Sequence, residues 1–100
     1  MREVKMQDIP KVVRVALLPS LFLRVEFADG AVRYWRSAIN KTELDLLKKA
    51  GNLRKGLTQL TPEYYWLGTQ ATFGQDNTFA INRVIYDGNE IYKQGNRQPT

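Results

Sequence analysis

The sequence predicts an α+β domain: an antiparallel sheet of four to six strands, made of an N-terminal meander and C-terminal hairpins, with one main helix and a short second helical turn between them. Three observations predict it. Apolar and polar residues alternate on both sides of Asp29-Gly30, the stretch from Asn40 to Gly51 carries both helix start and helix stop signals, and a second Asp-Gly pair, Asp87-Gly88, follows the apolar run Thr78 to Tyr86. One hundred residues, 43% of them apolar and 11% aromatic, suffice for one core. The domain is read over residues 1–92, with a polar, disordered, basic tail over 93–100.

Val12 to Leu18 reads as the first strand, with Val13, Val15 and Leu17 as its apolar row and Pro19-Ser20 ending it. Leu21 to Phe27 is the second, with Leu21, Leu23, Val25 and Phe27 on the core face and Phe22, Arg24 and Glu26 on the other. A two-residue primed turn at Asp29-Gly30, with positive φ at both positions, sets Phe27 opposite Val32, Val25 opposite Tyr34 and Leu23 opposite Arg36. On the outer face Glu26 then meets Arg33, and Arg24 meets Trp35 as a cation over an indole.

A helix follows over Lys41 to Ala50. Asn40 caps it, Glu43 completes a capping box, and Ile39 with Leu44 forms a hydrophobic staple. Lys48 and Lys49 oppose the negative end of the helix dipole before Gly51. Asn52 to Leu60 reads as a basic loop. Thr61-Pro62-Glu63 opens the short helical turn that carries Tyr64, Tyr65, Trp66 and Leu67. Thr69 to Phe73 is a further strand, and Thr78 to Tyr86 is a longer one with Phe79, Ile81 and Ile85 on one face. Asp87-Gly88-Asn89 then turns the chain into Glu90-Ile91-Tyr92, with Ile85 opposite Ile91.

The charge is regional. From Arg33 to Lys55 there are seven basic residues (Arg33, Arg36, Lys41, Lys48, Lys49, Arg54, Lys55) against Glu43 and Asp45, whereas the whole chain holds 15 and 10. The remaining positions therefore carry eight of each sign, and the net +5 belongs to this stretch. It reads either as a solvated helix face or as a surface for phosphate or an acidic protein. Tyr64, Tyr65 and Trp66, consecutive on one helical turn, would point about 100° apart, so at least one is expected at the surface or in an interface.

Catalytic parts are missing. The chain has no histidine and no cysteine, which removes the commonest general base, the commonest metal ligand and any thiolate chemistry. Its ten carboxylates are scattered singly, apart from Glu43 and Asp45, which do not face each other on a helix. A non-enzyme without metal or cofactor is expected. No apolar run approaches the ~18 residues of a membrane span, and the polar N-terminus suits a cytoplasmic protein.

Val13, Val15, Leu23, Val25, Phe27, Asp29 and Gly30, and later Ile85, Asp87, Gly88, Glu90 and Ile91, together resemble the small bacterial domain of unknown function numbered 2442. That family shows a valine-rich first strand, a second strand running into an Asp-Gly turn and a late strand ending at a glycine-containing turn. It often has tryptophan where this chain has Ile85 and Tyr86. The resemblance implies an α+β domain of the type first seen at the N-terminus of a nitrifying-bacterium protein, and a regulatory or antitoxin-like role. It carries no catalytic residues. The functional expectation is a small interaction module that binds a protein, with nucleic-acid binding through the Arg33 to Lys55 face as the alternative; the candidate contacts are the seven basic residues with Tyr64, Tyr65 and Trp66.

Overall fold

The computed structural model describes residues 9–50, 54–56, 64–67 and 71–98. Strands β1 (Val12–Leu17), β2 (Phe22–Phe27) and β3 (Val32–Arg36) form the expected antiparallel meander. Helix α1 (Lys41–Lys49) follows, then β4 (Arg54–Gly56) and β5 (Tyr64–Trp66). These strands make a five-stranded sheet in the order β3-β2-β1-β5-β4. A second sheet of order β6-β7-β8 comprises β6 (Ala71–Phe73), β7 (Thr78–Ile81) and β8 (Val84–Asp87), and α2 (Gly88–Gln94) ends the fold. The α+β class is as expected, with eight described strands divided between two sheets.

Both connections of the meander share one geometry. Gly30 N–H donates to Phe27 O (2.9 Å) and Phe27 N–H to Ala31 O (2.9 Å), which closes the loop Ala28-Asp29-Gly30. Leu21 N–H donates to Leu18 O (2.8 Å) and Leu18 N–H to Phe22 O (2.8 Å), closing Pro19-Ser20-Leu21 in the same way. Each is a three-residue loop whose last residue is left-handed, Gly30 at φ 90° and Leu21 at φ 74°. Asp29 stays outside that region, and its Oδ1 accepts the Ala31 N–H instead.

The extra loop residue corrects the expected register by one. Arg24 lies opposite Tyr34, Leu23 opposite Trp35 and Val25 opposite Arg33. A one-residue slip exchanges the two faces of a strand. Trp35 therefore packs at the rim of the main core rather than beside Arg24, while Val32, Tyr34 and Arg36 share the opposite face with Phe22, Arg24 and Glu26. A β-bulge corrects the row of β1 as well. Val12 pairs with Phe27 and Arg14 with Glu26, so Val13 is the extra residue and is 49% exposed, leaving Val12, Val15 and Leu17 in the core.

The helix α1 forms as read. Asn40 Oδ1 accepts the Glu43 N–H (2.8 Å), and Glu43 Oε1 accepts the Asn40 N–H (3.2 Å), so the capping box is complete. Ile39, Leu44 and Leu47 are buried in the main core. Tyr64, Tyr65 and Trp66 are not a helical turn but a strand held between β1 and β4, which suits three aromatics with high strand preference; Thr61 to Glu63 lie outside the described residues. Within the expected basic loop, Arg54 to Gly56 form the short edge strand.

The long strand Thr78 to Tyr86 is broken in two. Asn82 (φ 52°) and Arg83 (φ 72°) make a two-residue primed turn, with Ile81 opposite Val84. Ile85 consequently points away from the core, and its expected partner Ile91 sits in a helix. Asp87-Gly88-Asn89 opens α2 instead of a hairpin: Asp87 Oδ1 accepts the Asn89 N–H (2.9 Å) and the Glu90 N–H (3.4 Å) as an N-cap. The segment read as a tail from Lys93 holds the last turn of α2 and a bridge between Asn96 and Tyr34.

The main core fills the space between one face of the five-stranded sheet (Val15, Leu17, Leu23, Val25, Phe27) and the elements packed on it. These contribute Leu44 and Leu47 from α1, Phe79, Ile81 and Tyr86 from the second sheet, and Ile91 from α2. Asn77 ties the second sheet to the first. Its Oδ1 accepts the Val12 N–H (2.8 Å), its Nδ2 donates to Pro10 O and Asn89 Oδ1 (3.0 Å each), and its carbonyl accepts the Gly88 N–H (2.9 Å).

Candidate interaction face

The other face of the five-stranded sheet carries a second, smaller cluster. Ala16, Leu18, Tyr34 and Tyr64 are buried there, and Phe22, Val32 and Trp66 pack against them half-buried. Three alternations bring these side chains together: Arg14 and Ala16 on β1, Phe22, Arg24 and Glu26 on β2, and Tyr64 and Trp66 on β5. Ala16 pairs with both Arg24 and Trp66, and its small side chain lets larger neighbours close over it.

Five side chains on this face form a closed circuit of contacts. The Arg14 guanidinium lies 5.0 Å from the Trp66 ring centroid, and Trp66 meets Tyr64 edge to face at 4.8 Å. The Arg24 guanidinium lies 5.5 Å from the Tyr64 ring, Arg24 Nη1 donates to Glu26 Oε2, and Glu26 Oε1 stands 3.6 Å from Arg14 Nε. One carboxylate thus serves two guanidinium groups, each already stacked on a ring. The Arg14 side chain is 61% exposed, whereas that of Arg24 is nearly covered. Arg24 Nε is buried and has no hydrogen-bond partner.

The expected contact residues are spread over several surfaces. Arg33 is buried: its Nε donates to Tyr92 O (2.9 Å), its Nη1 to Val32 O (3.0 Å), and its guanidinium lies 4.7 Å from the Tyr92 ring. It joins α2 to β3. Arg36 is exposed, yet Nη1 donates to Leu21 O (3.1 Å), Ser37 O (2.5 Å) and Ile39 O (3.3 Å), so it clamps the end of the meander. Lys41 and Lys49 are exposed at opposite ends of α1. Lys48 Nζ lies 5.1 Å from the Tyr65 ring, and Lys55 pairs with Tyr65 across β4 and β5, so these two lysines do converge. Arg54 pairs with Trp66 in the backbone register. Tyr64 and Tyr65 are buried on opposite faces, and Trp66 is half-buried.

Arg24 and Glu26 lie on the outer face as their alternation predicts, but with Tyr34 and Val32 as neighbours in place of Trp35 and Arg33, and Arg14, not among the expected contacts, joins them. The signal for Arg14 is its alternation with the apolar Val15 and Leu17, which puts it with Ala16 on the outer face; the bulge at Val13 exchanges only Val12 and Val13. At the end of β3 a shallow cleft of about 340 Å³ is lined by Phe22, Tyr34, Trp35, Arg36, Gln94 and Asn96.

Away from this face, the Tyr92 hydroxyl donates to Asp29 Oδ2 (2.8 Å) and fastens α2 to the hairpin loop. The Ala31 N–H and the Tyr92 hydroxyl, both donating to its carboxylate, hold Asp29 below the ordinary aspartate range. The same bond raises the Tyr92 phenol above its usual value. No described helix is long and apolar enough to cross a membrane. No family model matches the chain, nor does any curated protein or solved structure.

Proposed function

We propose that the chain is a non-catalytic interaction module that binds a protein partner through the arginine–aromatic face of its five-stranded sheet. The observation that carries this reading is the Arg14–Trp66 pair: an exposed guanidinium stacked on a half-buried indole, with no described element packed over it. Tryptophan, tyrosine and arginine are the residue types that dominate binding energy at protein interfaces. A regulatory or antitoxin-like role, as implied by the resemblance to the domain of unknown function, fits such a module.

The alternative, nucleic-acid binding, has the convergence of Lys48 and Lys55 at Tyr65 in its favour. Against it, base stacking needs accessible ring faces. Tyr64 and Tyr65 are buried, and guanidinium groups already stack on Tyr64 and Trp66. Arg33 is buried and Arg36 is committed to backbone carbonyls, so neither extends the basic surface.

The test is affinity capture with wild type, Arg14→Ala and Trp66→Ala, each with and without nuclease, after thermal melts show that the variants fold. A protein captured by wild type should resist nuclease, and Trp66→Ala should weaken its binding roughly thirtyfold, the factor for a hot spot of about 2 kcal/mol. Capture abolished by nuclease would favour the nucleic-acid alternative. Undiminished capture by both variants would show that the face is not the binding surface.

A further inference from the structure

The strand β8 is an edge of its three-stranded sheet. Among the described residues it pairs with β7 alone. Val84 closes the primed turn opposite Ile81, so its N–H and C=O point to β7 and those of Ile85 point outward. Natural edge strands are blunted by short length, charged side chains, proline or a bulge. The strand Val84-Ile85-Tyr86-Asp87 is short and ends on a charge, but it has no lysine, proline or bulge, and its apolar side chains lie open, Ile85 at 74% and Val84 at 37% exposure.

The edge is also self-complementary. If a second β8 runs antiparallel with Ile85 opposite Ile85, then Val84 falls opposite Tyr86, and Arg83, in the turn just ahead of the strand, comes near Asp87 of the other copy at both ends. The half-exposed Val84 is then covered on the core side of the sheet. On the outer side, the row Thr72–Ala80–Ile85 continues into its symmetric copy. The outward N–H and C=O of Ile85 fix this register: a one-residue slip would set them against the groups of Tyr86 that face β7 and would lose the matching of the two faces.

We propose that a second copy of this chain docks on β8, with Ile85 on the two-fold axis, and joins two three-stranded sheets into one of six strands. Such an isologous contact closes after two copies. The strand has four residues, so the contact is small and belongs to the weak, concentration-dependent class.

Two measurements test it. In sedimentation velocity the molar mass should rise from 11.6 kDa toward twice that value with concentration. Ile85→Lys, which sets like charges face to face on the axis at an already exposed position, should weaken association about tenfold or more. The chain has no cysteine, so a single introduced thiol reports register directly. Directly opposed residues have Cα atoms about 5.5 Å apart, within disulfide reach. Ile85→Cys should therefore form a covalent dimer under mild oxidation, whereas Arg83→Cys, in the turn and away from the axis, should not. A wild type that stays at 11.6 kDa up to the solubility limit would overturn the proposal. So would association unchanged by Ile85→Lys, or Arg83→Cys cross-linking as fast as Ile85→Cys.

Discussion

Replacing Gly30 by valine isolates a purely conformational cost. A Cβ at Gly30 would have no atom within 4 Å, so the substitution meets no steric obstacle from the rest of the molecule. The backbone there is at φ 90°, where a side chain meets its own carbonyl. The left-handed region costs roughly 1–2 kcal/mol for an ordinary residue, and β-branching places valine at the upper end. Part of this is offset because valine also restricts the unfolded chain, by about 0.4–1 kcal/mol. A net loss of about 1–1.6 kcal/mol should lower Tm by roughly 4–13 °C in a domain of this size. Thermal unfolding followed by circular dichroism reads it directly. Gly30→Asn supplies the control, since asparagine tolerates the left-handed region and should lose much less. A valine variant melting within about a degree of wild type, or an asparagine variant as unstable as the valine one, would refute the reasoning.

Gly88 is constrained by space rather than angle: a Cβ there would run into the Asn77 carbonyl oxygen and Val12 Cγ2, so Gly88→Ala should disturb the Asn77 junction and cost about 1–3 kcal/mol, read as a lower denaturation midpoint. Asn40→Ala removes one half of the capping box and should cost about 0.5–2 kcal/mol, with Asn40→Asp recovering most of it. The Asp29 carboxyl is held below its ordinary value of 3.8, so its contribution to stability is full above that pH and is lost as pH falls through the depressed folded-state value. The Tyr92 phenol is raised above 10.0, so its contribution is present below that pH and lost as pH climbs through the folded-state value. Tyr92→Phe should abolish the alkaline loss and shrink the acid one; melting curves across pH that superimpose on wild type would show that the bond contributes nothing.

The readable parts of this fold are those fixed by short-range chemistry. Ile39, Asn40, Glu43 and Leu44 define the start of α1 because a cap and a staple are satisfied within one turn, whatever the rest of the chain does. The Asp29-Gly30 hairpin was legible as a hairpin. Its loop length was not, because a left-handed glycine serves a two-residue primed turn and a three-residue loop equally well. Asp87-Gly88-Asn89 is ambiguous in the same manner: an aspartate that accepts from the N–H groups two and three residues on can start a turn or cap a helix. The choice falls to the helix here because it places Ile91 in the core and Tyr92 against Asp29 and Phe27. Asn82-Arg83 carried no glycine to mark its primed turn, so the break between β7 and β8 was hidden within an apolar run.

The composition of the interaction face depends on details of this size. With a two-residue turn, Arg33 and Trp35 would have joined Arg24 and Glu26, and most of the meander's cations would have shared a face. The third loop residue sends Arg33 under α2 and Trp35 to the core rim, and leaves Arg36 holding backbone carbonyls. The bulge at Val13 leaves this face untouched, because the register runs unbroken from Arg14 to Leu17 and keeps Arg14 opposite Glu26 and on the Trp66 ring. The regional charge visible in the sequence is thereby divided among separate surfaces. It still contributes to the long-range field, which would steer an acidic partner, but the groups at the centre of the proposed binding face are Arg14 and Trp66, outside the stretch that carries the excess. Charge counted along a chain locates an attraction; strand register decides which side chains meet what is attracted.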